Sequence, residues 1–154
     1  FTGWTAAANS YPVYIDTVPH SGDYAAQIAG FSYFPNGLSQ TVATTAGESY
    51  QLSFWRRIGD GSPITSLTVN WNGDAIFSEY NEGWDPNADV YQQFSFNVVG
   101  TGSDTITFLC ANDPAYTWVD DVSLSSVPDS GTTVAMLCSA LLGLAALRRK
   151  LSRA

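Results

Sequence analysis

The chain carries one histidine, two cysteines, one methionine and, before residue 150, no lysine. Residues 1–127 hold thirteen acids against Arg56 and Arg57, a charge of −11, whereas residues 128–154 hold Asp129 against Arg148, Arg149, Lys150 and Arg153, which is +3; together they give −8. A body this acidic has no cationic surface for phosphates, which excludes nucleic acid as a partner. The cysteines Cys110 and Cys138 do not form a framework: Cys138 sits in a greasy run, Cys110 in a strand-like stretch, and both are expected to be free thiols. His20, in a Pro-His-Ser-Gly turn, is expected to be a surface turn residue rather than a base. Zinc-ligand spacing, a Gly-rich phosphate loop and a nucleophile elbow are all missing. So is any sustained 3.6-residue apolar stripe in the body, which argues against helices there.

What the body does have is aromatic side chains, 21 in all (5 Trp, 8 Tyr, 8 Phe), enough to fill a core. β-rich or alternating runs occur at 11–16, 24–30, 38–44, 49–57, 66–73, 75–80, 90–100, 104–111 and 117–125. Turn chemistry separates them, as at Pro35-Asn36-Gly37, Asn72-Gly73-Asp74 and Gly100-Thr101-Gly102. Short strands at near-regular spacing predict an all-β antiparallel jelly roll or β-sandwich over residues 1–126. Alternation places Leu67, Val69 and Trp71 on one face, with Phe94, Phe96 and Val98, and Ile106, Phe108 and Cys110, on matching faces. Val122 and Leu124 should join them in the core, and Trp4 and Trp55 also read as core residues.

The last segment, 127–154, is of a different kind. Thr132 to Leu147 is a run of sixteen residues without a charge, about 24 Å long as a helix. Met136, Leu137, Leu141, Leu142, Leu144 and Leu147 would cover every side of that helix, so a core-facing amphipathic role fails. A single transmembrane helix over 132–147 is the expectation, its shortfall against a ~30 Å hydrocarbon core met by snorkelling of Arg148, Arg149 and Lys150. That basic cluster would keep the C-terminus cytoplasmic and the β body outside.

Val127-Pro128-Asp129-Ser130-Gly131, then the apolar run, then the basic end, resembles the VPDSG-CTERM sorting signal, a variant of PEP-CTERM. The resemblance implies that an exosortase, an integral membrane enzyme, recognises Val127, Pro128, Asp129, Ser130 and Gly131 and processes the protein. It also implies export, a transient anchor in the bacterial inner membrane, and a cell-surface or extracellular-matrix destination in exopolysaccharide-making bacteria. Pro128 and Gly131 suit recognition, because neither lets helix or strand run through.

The body has a resemblance of its own. "FTGWT", "HSGDYAAQIAG", "LSQTVATTAGESYQLSFWRR", "VNWNG" and "TWVDDVSL", in that order, are similar to carbohydrate-binding modules with a galactose-binding-like jelly roll. The chain opens at Phe1, so the opening strand of such a module is expected to precede it. The resemblance further implies a structural calcium held by Asp120, at the start of the last strand, and by Asp23 near the "HSGDY" turn. Adjacent Asp120 and Asp121 should alternate, so that at most one faces a given site.

A glycan offers apolar C–H faces to aromatic planes and hydroxyls to carboxylates and amides. Two stretches fit: 78–89, read as a loop, with Tyr80, Trp84 and Asp85; and 111–118, with Asn112, Asp113 and Tyr116. The expected function is a non-catalytic exported protein that binds a polysaccharide. The alternatives are a structural biofilm or surface protein without a small ligand, or a glycoside hydrolase using a carboxylate pair such as Glu79 and Asp113.

Overall fold

The computed structural model describes residues 2–6, 13–31, 35–59, 64–82, 87–128 and 148, with backbone alone at 81 and 82. Among the described residues, ten strands form two antiparallel five-stranded sheets. The first sheet has the order β1 (Thr5–Ala6), β4 (Asn36–Ala43), β9 (Ser103–Asn112), β6 (Ile64–Trp71), β7 (Asp74–Glu82). The second has β2 (Val13–Asp16), β3 (Ala25–Ile28), β10 (Thr117–Ser126), β5 (Ser49–Ile58), β8 (Gln92–Val99). The all-β antiparallel sandwich is thus as the sequence pattern predicts. β1 is the strand that pattern misses, being only two residues long.

Period-two alternation builds the core. Leu67, Val69 and Trp71 of β6 face Ile106, Phe108 and Cys110 of β9 and, from the other sheet, Leu52 and Phe54 of β5; all are buried. Phe54 is fully enclosed and meets Phe108 edge-on at 5.0 Å and Phe94 in a stack at 5.5 Å. Val122 and Leu124 are partly buried against this core, as is Trp4, whose ring lies 5.9 Å from that of Phe108. Cys110 is a free, fully buried thiol, and burial pushes its pKa up to about 12, so it is chemically inert there.

Trp55 departs from its expected place. β5 turns Leu52, Phe54, Arg56 and Ile58 inward, so Trp55 and Arg57 face outward. The inward Arg56 is 3% exposed, donates to Glu79 and to Gln92 Oε1 (2.7 Å), and lies over the Phe94 ring at 5.1 Å.

The sandwich has two distinct poles. At one, the β4–β5 turn, the Asn72-Gly73 turn and the β8–β9 turn converge on Asp104, which is fully buried. It accepts hydrogen bonds from Thr44 Oγ1, Asn72 Nδ2 (2.5 Å), and the Thr101 backbone N–H (2.9 Å) and Oγ1 (2.7 Å). Burial pushes its carboxyl up, but these donors outweigh it and hold it well below the usual carboxylate range. A carboxyl depressed in the folded state contributes stability above its unfolded pKa near ~3.9 and loses it as pH falls further. Asp104→Asn is therefore expected to lower the urea midpoint at pH 7 and to flatten its decline below about pH 4.

Candidate functional site

At the opposite pole the β3–β4 connection meets the β9–β10 turn. The Asn112 backbone N–H donates to Gly30 O and the Gly59 N–H to Tyr116 O, both at 2.8 Å. A Cβ on Gly30 would sit 2.3 Å from the Cys110 carbonyl oxygen, so only glycine lets the two segments approach this closely. Between them is a cleft of about 180 Å³ walled by Gly30, Phe31, Asn112, Asp113, Pro114 and Tyr116. The Asp113–Pro114 peptide bond is cis.

Asn112, expected as an exposed ligand-binding residue, is only 1% exposed. Its Nδ2 donates to Tyr116 O (2.7 Å), which leaves Oδ1 as a buried acceptor without a hydrogen-bond partner. The short turn explains this: a residue closing a four-residue connection is drawn under it. Asp113 is exposed on the rim. Tyr116, half-buried, meets Tyr14 edge-on at 6.3 Å and Trp118 at 6.2 Å. Asp113 and Tyr116 therefore share one cleft, as their sequence proximity suggests.

The other candidate stretch is only partly a loop. β7 continues through Glu82, so Tyr80 lies on a strand, paired with Ser66 of β6 and 57% exposed. Strand alternation places Glu79 inward, where it pairs with Arg56. Glu79 is thus engaged in an ion pair, its side chain 28% exposed. Trp84 and Asp85 lie outside the described residues.

The proposed calcium residues occupy a different arrangement from the one expected. A β-bulge between Asp120 and Ser123 puts Asp121 at φ 48°. It ends the simple alternation, so both carboxylates reach the same turn. Asp120 Oδ2 accepts the backbone N–H groups of His20 (2.7 Å) and Ser21 (3.2 Å). Asp121 accepts from Ser21 Oγ (2.6 Å) and is bonded to His20 Nδ1 (2.7 Å), and these bonds hold its carboxyl below the usual range. The acids thus face N–H and O–H donors, whereas a cation needs converging oxygens. Asp23 is exposed in the same connection, and no group of three or more His, Cys, Asp or Glu is gathered for a metal among the described residues. As arranged, this turn does not fit a calcium shell.

His20 is more than a turn residue, and sequence reasoning missed its role. Its ring stacks on Trp55 at 3.7 Å and meets Tyr91 at 5.5 Å. Tyr91 Oη donates to Val18 O (2.8 Å); burial, with Asp120 next, pushes its pKa up to about 12. Arg57 covers Trp118 at 4.5 Å and bonds Asp89 Oδ1 (2.7 Å). The connection 17–24 is thereby latched across the outer face of the second sheet. Both outward tryptophans have a face covered, so they offer a sugar little open plane. The signal available in sequence was the outward phase of Trp55 and Arg57 relative to Phe54. Nor does Ser21-Asp121-His20 activate a nucleophile: the acid lies between serine and histidine, whereas activation needs the histidine in the middle.

A second cavity, about 410 Å³, opens beside β10 between the sheets, walled by Trp4, Leu38, Ala26, Val119 and Val122 with Asp120 and Asp121 at its rim. Its floor is the apolar core itself.

Antiparallel sheets in this order define a jelly-roll sandwich of the kind found in carbohydrate-binding modules. The chain is similar to the CBM22-1 xylan-binding domain of Paenibacillus barcinonensis Xyn10C, at 17% identity over 83% of this chain and 88% of that one, with a TM-score of 0.56. It is also similar to TmCBM61 in complex with β-1,4-galactotriose, at 22% identity over 82% and 92%, TM-score 0.57. The enzymatically active domain of bacteriophage CBA120 tailspike protein 4 matches at 14% identity and TM-score 0.57; 82% of this chain is covered, but only 20% of the tailspike chain. No curated protein matches. Residues 126–151 match the VPDSG-CTERM motif. Of that motif the structure describes Ser126, Val127, Pro128 and Arg148; Asp129, Ser130, Gly131, Arg149 and Lys150 lie outside the described residues, as does the apolar run 132–147. No helix among the described residues is long and apolar enough to cross a membrane.

Proposed function

We propose that this protein is an exported, non-catalytic glycan-binding module, delivered through its VPDSG-CTERM signal and processed there by an exosortase. The observation that carries the binding reading is the cleft at the Gly30–Asn112 pole, with an acid, Asp113, and an aromatic ring, Tyr116, on its wall. The cleft is smaller than the ~300–1,000 Å³ of a site that engulfs a drug-sized ligand. It suits one sugar ring or a chain end, with Tyr116 against C–H groups and Asp113 toward hydroxyls. The kinship of fold with polysaccharide-binding modules supports the same reading.

The placement of the sorting signal supports it too. β10 begins beside the cleft at Thr117 and ends at Ser126 on the Asp104 pole, about 30 Å away at ~3.3 Å per residue. With the apolar run 132–147 in the inner membrane and the basic end in the cytoplasm, the cleft points away from the bilayer. The mature protein then reaches the cell surface or the matrix.

A glycan array of neutral and acidic polysaccharides tests the binding. The protein is expected to retain at least one, and Tyr116→Ala or Asp113→Asn to weaken it about tenfold, the loss of ~1.4 kcal/mol of contact. No retention of any glycan, or retention indifferent to both substitutions, contradicts the proposal.

A further inference from the structure

β10 is held unevenly along its length. Thr117, Trp118 and Val119 are paired on both sides, with β3 and with β5. From the bulge onward, Ser123 to Ser126 pair with β5 alone among the described strands. The inward residues of this half, Val122 and Leu124, are only partly buried against the core, and Val122 also borders the 410 Å³ cavity. The outward residues Ser123 and Ser125 are exposed.

The sheet does not stop where the sorting motif begins. The backbone N–H of Val127, the first residue of the motif, donates to Ser49 O at 2.9 Å, so that residue is still part of the β5–β10 ladder. Three residues, Asp129 to Gly131, separate Pro128 from the apolar run; fully extended they reach at most about 11 Å. A protease cleft that reads an extended peptide pairs with its backbone and takes up alternate side chains. While Val127 is bound to Ser49, that edge of its backbone is occupied.

We propose that the C-terminal half of β10, Val122 to Val127, is a releasable strand that gates processing: it must peel from β5 before the membrane protease can engage the motif. This rests on the reading of residues 127–131 as an exosortase recognition segment. Peeling breaks one-sided pairing only, and the bulge at Asp120–Ser123 isolates the doubly paired start of the strand. The latch of His20 and Ser21 on Asp120 and Asp121 stops the opening at the bulge, so the core stays folded while the tail is released. The gate would couple processing to the state of the sandwich, since a chain whose β5–β10 edge is locked cannot present its motif.

Gln51 and Ser125 are cross-strand partners on the outward face, and both are exposed. In a Cys138→Ser background, Gln51→Cys with Ser125→Cys allows a disulfide that staples β10 to β5. The full chain is expressed in an exosortase-bearing host, and the tail's removal is followed by mass and by fractionation. The stapled chain is expected to be processed about tenfold more slowly or worse than the unstapled chain, because local opening is what the staple removes. Either single cysteine variant should match the wild type, and a reductant should restore the stapled chain. A six-residue Gly/Ser insertion between Ser126 and Val127 should also restore it, since the motif then clears the sheet without peeling. Processing of the stapled chain at the wild-type rate overturns the gate and leaves the sorting reading standing. If neither the wild type nor the insertion variant is processed, the sorting reading fails and the gate falls with it.

Discussion

Phe54→Ala is expected to cost about 3–5 kcal/mol of folding free energy, which for a domain with some 5–15 kcal/mol in total brings it near the threshold of folding. Phe54 is the centre of the aromatic core: it is fully buried, stacks on Phe94 and Phe96 from its own sheet, and meets Phe108 of the other sheet edge-on. Truncation removes contacts from both sheets at once. The neighbouring rings stand on strands fixed by ladders on either side, so they have little freedom to close the void. Urea unfolding followed by tryptophan fluorescence measures the loss. A change under about 1 kcal/mol would mean that the two sheets do not meet at this ring.

The second large effect concerns the buried cation. Glu79→Ala is expected to destabilise by about 3 kcal/mol, because it leaves the Arg56 guanidinium enclosed with its main counter-charge removed. Arg56 is only 3% exposed, and its Nε lacks a hydrogen-bond partner even with Glu79 and Gln92 in place. Desolvation of this ion is therefore incompletely offset in the native protein. The double variant Arg56→Met with Glu79→Leu should accordingly recover most of the loss, since apolar side chains of similar volume replace a pair whose net contribution is small. The same urea titration reads both variants. A double variant no more stable than Glu79→Ala would show that the pair orders the sandwich in its own right.

These two residues also mark how far the sequence could be read. Alternation placed Leu67, Val69, Trp71 and Phe108 correctly, because period-two patterning depends only on strand geometry. The same alternation run through β5 puts Arg56 in phase with Phe54, but a charged residue in an apolar phase is naturally read as a surface residue until its partner on β7 is known. Trp55 was misplaced for the converse reason: a large aromatic suggests the core, whereas its face is covered by a histidine 35 positions earlier in the chain. No local pattern could reveal that contact. The bulge at Asp120–Ser123 was equally hidden, and it is what turns both aspartates onto the 20–21 turn in place of a simple alternation. At the cleft, the grouping of Asp113 with Tyr116 was legible because the two share one short connection. The burial of Asn112 and the requirement for glycine at position 30 depend on the meeting of two connections about 80 residues apart.

The sorting motif was legible from order alone: a proline- and glycine-bearing pentapeptide, an uncharged run and a basic end. What the structure adds is that its first residue is still paired with Ser49 and that the candidate cleft lies at the other end of β10. On the proposed reading, anchoring and binding fall at opposite poles of one strand.

The central claim is that a glycan binds in the cleft between the β3–β4 and β9–β10 connections. Its most direct test is a titration of ¹⁵N-labelled protein with the best glycan from the array, followed by amide chemical shifts. The expected result is a saturable set of perturbations centred on Gly30, Phe31 and Asn112 to Tyr116, with Ser49, Thr101 and Asp104 unmoved. Perturbations centred instead on the His20–Trp55 face or on the Asp104 pole, with the cleft amides unchanged, would contradict it.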